Sequence, residues 1–223
     1  MWLLMLFPFL LFATFALLNN DKYKKKVMQL ASKLPIEHRL LIIGQGGSGK
    51  STLAENIAEM TTNQKRTIGI HLDQLKYGPN WTKKEPNEFV QTVMKILDDH
   101  PSCNVIMEGL MFDKRYDVTR IMLEDMIDDK YFSHIMILNV PLYVRMYRIL
   151  KRSFLRLIGF VSYGSGGKES IKGIKTMISS QYKNSDENDK HMMNLSMKLI
   201  DSGQYQDYIF DDVLLLVHNR RKN

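Results

Sequence analysis

Residues Gly44-Gln45-Gly46-Gly47-Ser48-Gly49-Lys50-Ser51 satisfy the pattern GxxxxGK[ST], a spacing suited to gripping a polyphosphate. Glycines let the backbone turn tightly enough to aim several N–H groups at phosphate oxygens, and a helix starting there adds its positive N-terminal end. Lys50 would reach the β- and γ-phosphates, and Ser51 would ligate Mg²⁺. Upstream, Leu40-Leu41-Ile42-Ile43 is a short continuous apolar run, as in a strand buried on both faces of a parallel sheet. Downstream, 52–60 reads as a helix. A merely flexible glycine loop would not account for Lys50-Ser51, so the candidate nucleotide contacts run from Gly44 through Thr52.

Two carboxylates stand where apolar strands end, the edge at which open α/β sheets bind ligands. Asp73 follows Ile70-His71-Leu72, and Glu108 follows Val105-Ile106-Met107. One such residue is ordinarily a cap or a solvated strand end; two beside a phosphate loop point to chemistry. Phosphoryl transfer needs one carboxylate to accept the proton of the attacking hydroxyl and another to hold Mg²⁺ directly or through water. Asp73 is assigned the first role and Glu108, with Ser51, the magnesium side; the two carboxylates could exchange roles. His71 reads as a packing residue.

The elements that must position these groups alternate as in a parallel α/β sheet. Strands are predicted at 40–43, 67–72, 104–107, 133–140 and 208–217, five in all. Helices are predicted at 86–98, 117–129, 142–157, 171–182 and 190–200, with a loop around Ser165-Gly166-Gly167 and a linker at 184–189. On the helix at 142–157, Arg145, Arg148, Arg152 and Arg156 are spaced three, four and four apart and so share one face. Such a stripe can clamp a phosphoryl group in transfer; its plainer readings are a solvated face or a surface drawn to anionic lipid. Arg148 and Arg152 are the best candidates and Lys151 a weaker one.

At 223 residues with 44% hydrophobic and 25% charged content, the chain has the makings of one globular domain and a short appendage. The single cysteine, Cys103, leaves no partner for an intrachain disulfide and suits a reducing compartment. The formal charge of +7 is uneven: residues 1–38 carry +3, residues 145–175 carry +7, and the remainder sums to −3. A chain basic throughout, as for general nucleic-acid binding, is thereby excluded. From Met1 to Leu18 every residue except Pro8 and Thr14 is apolar or aromatic, and a helix of that length spans roughly 27 Å, nearly a hydrocarbon core. Lys22, Lys24, Lys25 and Lys26 follow it, which by the positive-inside rule puts the following domain in the cytosol. The expected organisation is a transmembrane anchor at 1–18, with a signal peptide or a membrane-surface helix as the plainer readings, a basic linker at 19–38 and a phosphate-loop domain at 39–223, with a lid and helical region at about 145–200.

The loop from Gly44 to Ala54 resembles that of the P-loop nucleoside and nucleotide kinases. His71-Leu72-Asp73-Gln74-Leu75 followed by Trp81, and Val140-Pro141 with 147–152, resemble the "DNA topology modulation" proteins of the adenylate-kinase-related group. Ile106-Met107-Glu108-Gly109-Leu110 is closer to the uridine kinase pattern. The resemblance covers roughly 39–156 and implies a three-layer core with a mobile lid closing over ATP and Mg²⁺. The sequence departs from monophosphate kinases, whose acceptor region often carries DxxR, in having Lys76 where that arginine would stand. The expected acceptor is therefore a hydroxyl on a less charged small molecule, such as a nucleoside, with Tyr77, Trp81 and Phe89 available to stack on a base. A membrane-anchored ATPase or nucleotide switch is the alternative. The kinase of nucleic-acid 5′ ends is a third, less favoured reading. No NKxD or LSGGQ-like signature is present.

Overall fold

The computed structural model describes residues 25–62, 65–76, 82–109, 117–157, 171–210 and 213–218. The expected anchor at 1–18, the loop around Gly166 and the aromatic residues Tyr77 and Trp81 lie outside them. Among the described residues, no helix is long and apolar enough to cross a membrane.

The described chain begins in helix α1 (25–31). There follow β1 (Arg39–Gly44), α2 (Lys50–Thr62), β2 (Thr67–His71), the short α3 (Leu72–Leu75), α4 (Pro86–Asp98) and β3 (Asn104–Gly109). The rest comprises α5 (Asp117–Asp128), β4 (His134–Leu138), α6 (Leu142–Leu157), α7 (Ile171–Asp201), β5 (Tyr205–Phe210) and β6 (Val213–His218). One six-stranded sheet has the order β2-β3-β1-β4-β6-β5. Its first four strands are parallel, whereas β6 runs antiparallel to both β4 and β5.

The sheet is therefore mixed and six-stranded rather than parallel and five-stranded. The run expected as one closing strand at 208–217 is two, on either side of Asp211-Asp212, and strands joined this closely in sequence can pair only antiparallel. The two helices expected at 171–182 and 190–200 are one helix of 31 residues, with no break at 184–189. The stretch expected as linker is helical from residue 25, and its Val27, Leu30 and Leu34 are buried in the core.

Alternation along the buried strands divides the core between two faces. Leu40 and Ile42 of β1, with Ile106, Met136 and Leu215, pack against Val27 and Leu30 of α1 and Leu53, Ala54 and Ile57 of α2. Leu41 and Ile43, with Ile70, Val105 and Ile135, face Phe89 and Val93 of α4, Leu123 and Met126 of α5, and Met192, Leu195 and Leu199 of α7. The result is three layers around a central β1, each buried Leu or Ile contributing roughly 1.5–3 kcal/mol. Phe89, expected to stack on a base, is fully buried in this core instead.

At the far edge, Tyr205 of β5 buries its hydroxyl without a hydrogen-bond partner, and burial pushes its pKa up to about 12. The native state keeps a proton that the unfolded chain releases above about pH 10, so stability is lost as pH rises through that window. Tyr205→Phe removes this loss: between pH 10 and 12 the wild type should fall relative to the variant by about 2 kcal/mol in denaturant titrations. Parallel curves for the two chains would contradict the assignment.

Candidate functional site

Strand register assembles the site. In the parallel ladder Glu108 of β3 lies between Ile42 of β1 and His71 of β2, and Gly109 is paired with Ile43. Every residue just past the C-terminal ends of β1 and β2 thus opens onto one edge with Glu108 between them. Glu108 is the penultimate residue of its strand, buried in the sheet rather than following it.

From β1 the chain enters the phosphate loop and turns into α2 at Lys50. Gly47 and Gly49 have φ of +78° and +93°, a region that side chains disfavour. A Cβ at Gly47 would also come within 2.7 Å of the Arg145 carbonyl oxygen, so both glycines are required. The loop is braced by its own Ser48 N–H donating to the Gln45 carbonyl at 3.1 Å, and α2 begins with Leu53 N–H donating to Gly49 O at 2.9 Å.

The chemical groups converge here. Lys50 Nζ lies 3.1 Å from Asp73 Oδ2 and 3.9 Å from Glu108 Oε2. Ser51 Oγ donates to Glu108 Oε1 at 3.0 Å. Asp73, in the first turn of α3, is also paired through Oδ1 with the buried Lys76 Nζ at 3.3 Å. Its side chain is 39% exposed against 3% for Glu108, so one carboxylate is open to an incoming molecule and the other is enclosed behind the loop. Arg148 of α6 donates through Nη1 to the carbonyl of Ser48 at 2.7 Å and, at 3.4 Å, to that of Gly47.

The arginine stripe divides along its axis. Arg145 is turned away from solvent and bonds Ser185 and Asp189 of α7, at 2.8 and 2.9 Å. Arg148 meets the loop, and Arg152, one turn on, is exposed, as is Lys151. Arg156 has no described side chain. The sequence-predicted residues brought together are therefore Lys50, Ser51, Asp73, Glu108 and Arg148. Among the loop residues, Gln45 is buried and Thr52 exposed.

Three contributors were not foreseen. His71, expected to pack, places Nδ1 2.8 Å from Glu108 Oε1. Its one legible signal was its position two residues before Asp73. Asn188 of α7 donates to Gln45 Oε1 at 3.3 Å, and Asp189 holds Arg145. Both lie in the stretch read as a linker.

These residues fit a nucleoside triphosphate with Mg²⁺. The positive-φ glycines allow the tight turn such a loop needs, and Glu108 Oε2 is buried without a hydrogen-bond partner beside Ser51. A hydroxyl and one carboxylate are few ligands, but Mg²⁺ at such sites takes the others from phosphates and water. Among the described residues, no group of three or more His, Cys, Asp or Glu is placed to hold a metal by itself.

Residues 27–136 match the family model described as ABC transporter, a span of 110 of the 223 residues that ends before α6. No curated protein matches the chain. Loop, fold and match together define a P-loop NTPase, and the match supports ATP as its nucleotide.

The hydrogen bond to Glu108 raises the pKa of His71 above its ordinary value, with burial opposing it. A raised histidine contributes stability that is full below the unfolded value of about 6.5 and is lost as pH rises through the native value. Without nucleotide or divalent cation, His71→Gln should therefore cost most stability near pH 5.5 and progressively less toward pH 8.5 in urea titrations. A cost that is constant, or larger at alkaline pH, would contradict the contact.

Proposed function

We propose that this P-loop NTPase is an ATP-dependent phosphotransferase that moves the γ-phosphoryl group to a hydroxyl of a small molecule, of the nucleoside or nucleotide kinase type. The observation that carries this reading is the half-open Asp73 carboxylate at 3.1 Å from Lys50 Nζ, separate from the enclosed Glu108. Lys50 is expected on the terminal phosphates, so a carboxylate touching it stands where an attacking hydroxyl would arrive.

In this reading the loop amides and Lys50 bind the phosphates, and Arg148 offsets charge developing on the transferred group. Arg152 stands one turn further along α6, on the solvent-exposed side. Asp73 accepts the hydroxyl proton at Oδ2. Ser51 and Glu108 would hold Mg²⁺, which neutralises phosphate charge when bound. His71 orients the Glu108 carboxylate.

A second reading, ATP hydrolysis that drives a contact with another protein, is favoured by the match to the ABC transporter model. Labelled ATP offered with a panel of nucleosides, nucleotides, cofactors and oligonucleotides separates the two. A labelled acceptor supports transfer; inorganic phosphate alone in every mixture supports the second reading. The anchor at 1–18 would hold the domain at the cytosolic face of a membrane. Full-length chain should then resist alkaline carbonate extraction from cell membranes, and its release would refute the anchor.

Lys50→Ala should lower turnover at least about a hundredfold, the scale of losing one charge-stabilising group. Asp73→Asn should lower transfer by about 10² to 10⁴, the scale of general-base catalysis, while ATP affinity holds or tightens because Lys50 loses a competing partner. Equal losses of binding and transfer in Asp73→Asn would exclude the base assignment.

A further inference from the structure

Arg145 links two elements through different parts of one residue. Its carbonyl oxygen stands against the crest of the phosphate loop, 2.7 Å from where a Cβ on Gly47 would be. Its guanidinium, 1% exposed, is held by Ser185 Oγ and Asp189 Oδ2 of α7. One residue before Asp189, Asn188 bonds Gln45, which is itself buried within the loop. Consecutive residues of α7 therefore reach the loop by two routes, one through α6 and one direct.

The described side chains of α7 make two kinds of contact. Met192, Leu195 and Leu199 fix its C-terminal half in the core. Just before them, Ser185, Asn188 and Asp189 make polar contacts where the helix passes the loop. At this junction Arg145 Nε and Nη1, Gln45 Nε2 and Ser48 Oγ are buried with no hydrogen-bond partner. Buried polar groups are almost always paired, and a half-satisfied network gains by any rearrangement that pairs more of it. The junction is thus a place where a small shift of the loop would alter how firmly α7 docks.

We propose that α7 senses the nucleotide state of the phosphate loop, with Asp189 and Asn188 as positioning residues that act on it through Arg145 and Gln45. The inference rests on nucleotide binding at the loop and is independent of whether the phosphoryl group passes to an acceptor or to water. Coupling of this kind is reciprocal: what docking of α7 adds to nucleotide affinity, nucleotide adds to the docking of α7.

The test uses the full chain with ADP and Mg²⁺, read by hydrogen exchange of peptides spanning 185–201 and by equilibrium affinity. Nucleotide should slow exchange in the wild-type helix severalfold. Asp189→Asn should weaken ADP binding roughly 5- to 50-fold, within the range of ordinary coupling, and abolish the slowing. Asn188→Ala removes only the contact to Gln45 and should weaken binding in the same direction but less; it decides the matter if Asp189→Asn does not fold. Wild-type affinity in Asn188→Ala, or slowing in Asp189→Asn equal to wild type, would overturn the proposal by reducing these contacts to packing. ADP bound to a wild type whose α7 exchanges unchanged would overturn this inference alone, whereas absence of ADP binding would overturn the functional reading with it.

Discussion

The site depends on holding the backbone between Gly44 and Lys50 in a shape that most residues cannot adopt. Two positive-φ glycines permit that shape but do not enforce it, since glycine is as free in the unfolded chain as anywhere. Enforcement comes from outside the loop. The Arg148 guanidinium caps the carbonyls of Gly47 and Ser48. The Arg145 backbone closes over Gly47, and α7 secures Arg145.

Charge balance completes the arrangement. Lys50, Asp73, Lys76, Glu108 and His71 form a chain of contacts around the loop exit. Buried charges are tolerable only when paired, and here the Lys50 ammonium is paired with Asp73 and lies 3.9 Å from Glu108. An arriving anion would exchange with Asp73 for the same ammonium group. Asp73 keeps its contact with Lys76, and Glu108 is held by Ser51 and His71.

The loop, its flanking strand and helix, and both carboxylates were legible in the sequence because each is local: a motif, an apolar run, a charge at the end of a run. What was not legible depended on tertiary partners. Residues 184–189 look like a linker because Ser185, Asn188 and Asp189 are polar and their partners, Arg145 and Gln45, lie across the fold. The arginine stripe shares one face, but spacing does not say where along that face the neighbouring helix stops. α7 covers Arg145, while Arg152, two turns or about 10 Å further on, stands in solvent. His71 was misread because its partner is set by the β2–β3 register, which the sequence does not display. The closing hairpin was missed because both of its strands carry apolar residues and only two aspartates interrupt them.

Nucleotide binding at this site requires the loop backbone to grip phosphate oxygens. It is tested most directly by amide NMR of isotope-labelled protein titrated with ADP and Mg²⁺. Large, saturable shifts of the Gly47, Gly49, Lys50 and Ser51 amides are expected, with smaller ones at Glu108. Shifts absent from the loop at millimolar nucleotide, or confined to another surface, would contradict it.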